Sequence, residues 1–400
     1  MKKIQHLIIA GCLFAFALPA MAQSEWPIHV FNRLRLGYDD NVYQSGGRSE
    51  SRPGKKDSFR IVEEIEVLVN LNLERTYLGL RYRPSLIWYD ERENDDTDFV
   101  SDLDVNFRYN FSPTLTLSLA DTLRSNQLPE LQDENYVVRE NDDNYFNTAI
   151  ATLSYNIFPE TRIDFAGRYM VQWYDHDSPA RKNNDYYSLV GGVSIRQQLA
   201  SRSTLMADLR YQTVTYNRAD EAMKRDADTI YAGLGVEQTF GPQLLGSLRG
   251  GMESRSYDNK RFDDNTRPYM EGSLTFLPTP ATRLTASASY SIYESDVDAY
   301  MSQNRTHVSL SAAHDFTAKL NAYISAAYTL SSYDADYAID STLTDADEDA
   351  YYVSARLAYR LNRINWIEID YQFVKLDSEV RNRESYDRNR VDIGWRIQLF

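Results

Sequence analysis

Histidine is the residue type in this sequence best suited to metal binding or proton transfer, but its spacing supports neither. Four of the five histidines follow residue 22, at His29, His176, His307 and His314. None shares a short spacing with other ligand types that would build a zinc site. No Ser–His or Asp–His constellation can be identified either. We therefore predict no catalytic, metal-binding or cofactor-binding residue, and no enzyme activity.

An acidic segment between residues 334 and 349 is the other candidate for metal chemistry. It carries enough aspartate to attract Ca²⁺, but it lacks the glycine and the ligand spacing of an EF-hand. The preferred interpretation is a solvated loop whose cations bridge surface lipopolysaccharide.

Charged residues alternate with apolar ones in segment after segment, and arginine greatly outnumbers lysine among them. We expect these side chains to line a lumen, either as a solute pathway or as Arg–carboxylate ladders that brace the wall, and the sequence leaves both readings open. The candidate lumen-lining residues are Arg33, Arg35, Arg60, Glu64, Glu66, Arg81, Arg83, Asp102, Asp104, Arg108, Asp164, Arg168, Arg196, Asp208, Arg210, Arg249, Glu253, Arg356, Arg360, Glu368, Asp370, Asp392 and Arg396.

The elements that would position these residues are β-strands. In residues 98–111, Val105 and Phe107 fall on one face while Asp104 and Arg108 fall on the other. A helix would mix these residues around its circumference, and only a period of two separates them. The same alternation predicts about eighteen strands (16–18), near 28–43, 58–73, 76–89, 98–111, 114–124, 144–158, 162–174, 185–199, 203–216, 228–240, 243–257, 267–277, 283–294, 304–316, 320–333, 350–361, 366–376 and 388–399.

The connections between these strands alternate between short turns and long acidic loops, which is typical of an antiparallel transmembrane outer-membrane β-barrel. The mean hydropathy of −0.54 and the lack of long apolar runs exclude transmembrane helices. An even strand number places both termini and the short turns in the periplasm. A soluble β-sandwich also alternates, but eighteen strands would then need two domains, and the sequence shows no linker.

The first residues have the pattern of a secretory signal peptide. Lys2 and Lys3 precede an apolar run, and Ala20-Met21-Ala22 forms a cleavage site, so cleavage is predicted between Ala22 and Gln23. This gives a signal peptide at 1–22 and a single barrel domain at 23–400. The alternative is a lipoprotein signal that ends at Cys12.

The net charge of −15 argues against nucleic acid as a partner. The composition instead predicts contact with outer-membrane lipid and lipopolysaccharide, in the cell outer membrane of a Gram-negative bacterium. Inside the barrel, the expected partners are small polar solutes or a polysaccharide.

The segment Gly37-Tyr38-Asp39-Asp40-Asn41-Val42-Tyr43 resembles the opening strand of the putative β-barrel porin 2 family. The resemblance implies an outer-membrane barrel, and some similar barrels accompany exopolysaccharide export. Phe400 resembles the C-terminal aromatic residue through which such proteins bind the barrel-assembly machinery, although it stands one residue out of step with the apolar row of the last strand.

We therefore expect a porin-like channel for polar solutes or for export of a secreted polysaccharide. A structural or adhesive barrel with a closed lumen is the alternative, and a barrel enzyme is a third.

Overall fold

Eighteen antiparallel strands form one closed sheet in the computed structural model, which describes residues 27–47, 54–92, 96–126, 144–174, 184–217, 224–297, 299–381 and 383–400. Each strand pairs with the next along the chain, and the last pairs with the first. The strands are β1 (Ile28–Asp39), β2 (Ser58–Asn72), β3 (Thr76–Tyr89), β4 (Thr97–Asn110), β5 (Leu115–Asn126), β6 (Asn144–Phe158), β7 (Thr161–Tyr174), β8 (Tyr186–Ala200), β9 (Ser203–Tyr216), β10 (Ala227–Gly241), β11 (Leu244–Tyr257), β12 (Asn265–Thr279), β13 (Thr282–Glu294), β14 (Ser302–Asp315), β15 (Leu320–Tyr333), β16 (Ala346–Arg360), β17 (Asn365–Ser378) and β18 (Tyr386–Gln398).

The predicted eighteen-stranded antiparallel barrel is therefore confirmed, and most predicted bounds agree to within two residues. Two are wrong by four residues. β1 ends at Asp39 instead of residue 43, because the chain after Asp39 turns away from the sheet. β16 begins at Ala346 instead of residue 350, because its acidic first residues continue the pairing with the end of β15. Among the described residues, no helix has the length and apolar character needed to cross a membrane.

The two faces of the sheet reverse the usual arrangement of a water-soluble protein. Large apolar side chains are exposed on one face, with Phe59 at 66%, Leu234 at 71% and Ile393 at 59% exposure. On the other face the largest fully buried side chains include Arg255 and Arg388. A soluble fold hides apolar groups and leaves charges in water. An apolar exterior around a charged interior instead fits a barrel in lipid.

All short turns lie at one end of the barrel, which we call the turn end, and all long connections lie at the other, the loop end. The turns between strands span residues 73–75, 111–114, 159–160, 201–202, 242–243, 280–281, 316–319 and 361–364. The longer connections include 40–57, 258–264, 295–301, 334–345 and 379–385. The predicted signal peptide at 1–22 and its cleavage at Ala22 and Gln23 lie outside the described residues and stay predictions.

The last strand meets the first in an irregular end. Val30 accepts hydrogen bonds from the backbone N–H of both Leu399 (2.8 Å) and Phe400 (3.3 Å). Two residues facing one is the bonding of a β-bulge. The bulge explains why Phe400 stands out of step with the apolar row that precedes it.

Candidate functional site

Contacts between strands that are not neighbours identify the inner face of the barrel. Arg33 Nε on β1 lies 2.9 Å from Glu368 Oε2 on β17, and Arg255 Nη2 on β11 donates to Glu294 on β13 at 2.7 Å. Side chains from strands two apart can meet only on the concave side of a curved sheet. Residues that are paired on neighbouring strands lie on the same face, so the strand register identifies this face around the whole ring. Every candidate lumen-lining residue lies on it. We call this face the inner wall.

One group of candidate residues forms an ion-pair network around the closure of the barrel. Arg33 pairs with Glu64 and Glu368, and Arg35 Nη2 donates to Glu64 Oε2 at 2.9 Å. Glu66 and Arg396 lie at the edge of this network, 3.7 Å from Arg33 and 3.5 Å from Glu368. Further pairs extend it on both sides, namely Arg60–Asp392, Arg81–Asp104, Arg83–Asp102 and Arg356–Asp370.

A second network covers β7 to β12. Asp164 accepts from Arg196 Nε at 3.0 Å, and Arg196 also pairs with Glu237 on β10. Farther along, Asp208 lies 3.0 Å from Arg210 Nε, while Arg249 pairs with Glu271. In both networks the charges compensate one another, so that much of the charge on the inner wall stabilises the wall itself.

Four candidate residues have other partners or surroundings. Glu253 is fully buried and accepts from the Ser291 hydroxyl and the Ile292 backbone N–H. Arg360 donates to turn carbonyls at the turn end and stacks on Trp366. Arg168 faces a cavity described below, and Arg108 lies opposite Ser118.

The candidate histidines contact neutral groups. His307 Nδ1 lies 2.9 Å from the Thr329 hydroxyl, and His314 Nδ1 lies 2.8 Å from the Thr282 hydroxyl. His29 meets Gln398 at 3.4 Å, and His176 lies outside the described residues. In the described part of the chain, no group of three or more His, Cys, Asp or Glu residues is arranged to hold a metal ion.

The Gly37–Tyr43 segment closes the barrel at its loop end. A Cβ at Gly37 would lie 1.9 Å from Asp392 Oδ1, so only glycine leaves room for the Arg60–Asp392 pair. Asp39 is fully buried and accepts both Arg388 Nε and Nη2 from β18. Asn41 holds the turn that follows, donating to the Asp387 carbonyl at 2.8 Å.

A loop from the β13–β14 connection folds over the lumen at the loop end. We call residues 295–297 and 299–301 the inner loop. It pairs with the next loop through the N–H of Met301 to the Tyr337 carbonyl (2.9 Å) and the N–H of Ile339 to the Ala299 carbonyl (2.8 Å). Met301 is fully buried in these contacts. The acidic connection 334–345 therefore lies beside the inner loop.

Two arginines, Arg225 fully buried and Arg383 partly buried, hold the inner loop from opposite sides. Arg225, next to β10, donates to the Ser295 carbonyl at 2.8 Å and to Asn184 at 2.6 Å. Arg383, between β17 and β18, donates to Asp296 at 2.9 Å and to Glu348 at 3.1 Å. Burial alone would lower the pKa of Arg383, but these two carboxylates raise it well above its ordinary value. The inner loop is thus anchored to widely separated parts of the rim.

A cavity of about 90 Å³ lies between the inner loop and the inner wall of β7 to β14. Arg168, Arg210 and Arg305 line it, together with Tyr231 and Tyr293. Ser295 and Asp296 of the inner loop therefore lie against the inner wall in this sector.

The anchors of the inner loop were not predicted from sequence. Arg225 and Arg383 are isolated arginines in polar connections, and nothing local marks them as buried. The sequence does hold one signal, since Ala299-Tyr300-Met301 is an apolar triplet within a polar loop and so is suited to burial.

The assignment of faces can be tested by cysteine labelling. A cysteine at Asp104→Cys should react with a charged, water-soluble thiol reagent, because Asp104 lies on the inner wall. A cysteine at Val105→Cys should be protected, because Val105 points to the opposite face, which lipid covers. The measurement is the labelling rate in reconstituted vesicles. Faster labelling at position 105 than at 104 would reverse the assignment.

Comparison with known proteins gives one family. The sequence model of the putative beta-barrel porin 2 family matches residues 32–399. Among curated proteins, none is significantly similar to this chain.

A search of solved structures finds several of low similarity to this chain. OccAB3 of Acinetobacter baumannii is 12% identical, with a TM-score of 0.45, covering 93% of this chain and 99% of its own. OccK2 (OpdF) of Pseudomonas aeruginosa, solved in complex with glucuronate, is 11% identical with a TM-score of 0.47, covering 93% and 98%. OpdK of the same species, solved with vanillate, is 10% identical with a TM-score of 0.47, also covering 93% and 98%. Likeness at this level carries no information about substrate.

Proposed function

Because the chain belongs to the putative beta-barrel porin 2 family, we propose that it forms a channel for polar solutes across the outer membrane of a Gram-negative bacterium. The observation that carries this proposal is the closed ring of eighteen strands with a charged inner wall and an apolar exterior. A barrel of this strand number encloses an aqueous channel unless something fills it. The polar inner wall would let water and solutes cross the hydrocarbon layer.

The orientation follows from the connections. We place the turn end in the periplasm and the loop end outside the cell, as short periplasmic turns and long external loops are the rule in bacterial barrels. The expected partners are therefore outer-membrane lipid around the apolar exterior and lipopolysaccharide at the acidic loops. The signal peptide at 1–22 would direct export, and Phe400 would present the exposed terminal ring to the barrel-assembly machinery.

The solute is either a small polar molecule or a secreted polysaccharide. No catalytic role is proposed, since the family is one of porins.

The inner loop favours one alternative function. Held by its two arginine anchors, it supports a barrel whose lumen stays closed and whose role is structural or adhesive. The two functions differ in ion conduction, because a lumen that stays closed passes no current.

Single-channel recording in planar bilayers tests the proposal. The purified protein, shown to be folded by its heat-modifiable mobility in SDS gels, should give stable KCl currents. A second preparation carries the double variant Arg225→Ala with Arg383→Ala, which releases the inner loop. It shows whether a lack of current in the wild type is caused by the inner loop blocking the lumen. If neither folded preparation conducts, the channel function is wrong and the closed structural barrel is favoured.

A further inference from the structure

Two arginines of the inner wall stand apart from the ion-pair networks. Arg108 lies two residues before the end of β4, and Arg283 is the second residue of β13, so both lie at the turn end. The register places both on the inner wall. Both residues are exposed, and in the part of the chain that the structure describes neither forms an ion pair with a carboxylate. Their guanidinium groups therefore keep their charge available to a solute in the lumen.

Neutral side chains surround Arg108. Asn106 and Asn110 flank it on the same face of β4, because alternate residues of a strand share a face. Tyr77 on β3 and Ser118 on β5 lie opposite it in the register. The Cβ atoms of residues directly opposite one another lie about 4.5–5.5 Å apart, so the Ser118 hydroxyl group lies beside the Arg108 side chain.

Asn110 presents its amide nitrogen as a donor. The Thr116 hydroxyl donates to Asn110 Oδ1 at 3.0 Å. The oxygen of the amide is thus occupied, and its two N–H groups remain to donate to a ligand. Arginine adds N–H donors and no acceptor. The side chains around Arg108 therefore suit a ligand that is rich in acceptor oxygens.

The neighbouring carboxylate on this face of β4 is already bound. It is Asp104, which accepts from Arg81 Nε at 2.9 Å and from Arg124 Nη2 at 2.6 Å. Two arginines hold this carboxylate in place, so Arg108 remains available to an anion from solution.

Arg283 has different surroundings. Its register partner on β14 is Ala313, and Asp315 stands two residues farther along, which makes Asp315 its diagonal neighbour across the two strands. The negative charge of Asp315 would repel an anion that approached Arg283. Of the two arginines, Arg108 is therefore the better placed to bind an anion.

The turns add positive charge at this end of the barrel. They hold four cations and two carboxylates, namely Arg75, Arg202, Lys319 and Arg363 against Glu74 and Glu160. The loop end is acidic by contrast, and five of the seven residues 90–96 are Asp or Glu. Charge of one sign around an entrance steers ligands of the opposite sign toward it. Anions are therefore attracted to the turn end.

We propose that Arg108, with Asn110 and Ser118, binds small oxyanions that enter the lumen at the turn end, either carboxylates or phosphates. This inference rests on the proposed channel function and names a solute class that a chain of net charge −15 would not suggest. A guanidinium group binds two oxygens of a carboxylate or a phosphate through parallel N–H bonds. The amide and the hydroxyl add further donors to the same anion.

Inhibition of the KCl current by anions tests the inference. Citrate and tripolyphosphate are added in turn to each side of a bilayer that holds the wild-type channel in 1 M KCl. The Debye length is then about 3 Å, so that only direct contacts with the anion count. We expect both probes to lower the conductance, with the lower inhibition constant on the turn-end side. The probe with the lower inhibition constant identifies the preferred class of oxyanion. The uncharged triethyl citrate should have no effect.

The variant Arg108→Gln should raise the inhibition constant about tenfold, because a charge-assisted bidentate contact is lost. Arg283→Gln is the matched control, since it removes the same charge from the same end of the inner wall, and its inhibition constant should equal that of the wild type. Asn110→Asp keeps the acceptor for Thr116 and replaces the N–H donors with a negative oxygen. It should raise the inhibition constant at least as much, and it decides the matter if Arg108→Gln does not fold.

The outcomes separate this inference from the channel function. Open KCl currents that neither anion lowers would overturn the inference and leave the channel function standing. Equal effects of Arg108→Gln and Arg283→Gln would also overturn it, because the general charge of the entrance would then explain the inhibition. Loss of all current in every folded preparation, including the one with the inner loop released, would instead contradict the channel function.

Discussion

Replacing Arg388 with alanine should lower the free energy of unfolding by about 3–5 kcal/mol, because it leaves a buried carboxylate without its partner. Asp39 and Arg388 join the first strand to the last, and their side chains are 0% and 1% exposed. Arg388 Nε lies 2.9 Å from Asp39 Oδ1, and Nη2 lies 2.5 Å from Asp39 Oδ2. The measurement is a urea titration of the protein refolded in detergent micelles, followed by tryptophan fluorescence.

A neighbouring pair supplies the matched control. Lys55 Nζ lies 2.8 Å from Asp387 Oδ2 at the same closure, but the two side chains are 40% and 53% exposed. Lys55→Ala should cost less than about 1 kcal/mol, since water screens an exposed pair. Adding Asp39→Asn to Arg388→Ala should restore part of the loss, because no unpaired charge then remains buried. If Lys55→Ala and Arg388→Ala lower the free energy of unfolding equally, burial of the Asp39–Arg388 pair does not increase its contribution to stability.

Releasing the inner loop should increase the ion current. In the double variant Arg225→Ala with Arg383→Ala, the mean KCl conductance should rise about threefold, because the loop no longer narrows a lumen that eighteen strands can keep wide. Both arginines are anchored by several hydrogen bonds, and Arg225 also stacks on Tyr216 at 4.1 Å. Larger fluctuations of the open current are expected as well, since the freed loop would enter and leave the current path.

The control for this variant is an exposed lysine at the same end of the barrel. Lys375 lies 2.6 Å from Asp377, and the two side chains are 46% and 47% exposed. Lys375→Ala removes a loop-end charge without touching the inner loop, and its conductance should match the wild type. If the double variant keeps its heat-modifiable mobility and its conductance stays at the wild-type value, the inner loop does not limit the current.

The strands could be predicted from the sequence because their signal is local. A period of two in apolar residues requires only that one side of each strand face lipid, and this holds along the whole ring. The end of β1 was predicted wrongly because a side chain there pairs with a residue far away in the sequence. Residues 40–43 were predicted as part of β1, yet they leave the sheet, where Arg388 pairs with Asp39 and the Asp387 carbonyl accepts a hydrogen bond from Asn41.

The site was predicted in part for the same reason. Alternation identifies which side of a strand a residue takes, so the charged residues of the inner wall could be named. It does not reveal that Arg33 meets Glu368 across two strands, nor that Arg225 meets Ser295. Those contacts depend on the curvature of the closed sheet and on loop paths that no short segment encodes.

The pairing of β1 with β18 has a consequence for the order of assembly. Residues 31–39 find their partners among residues 390–398, so the longest loop closure in the chain is also the one that completes the ring. Contacts between residues so far apart in sequence form slowly, since closure entropy must be overcome before they stabilise anything. Until the final strand arrives, β1 and β17 would each present an unpaired edge, which is a template for adding strands from another chain. We therefore expect folding to need a catalyst or a chaperone that keeps these edges apart from other chains until β18 pairs with β1.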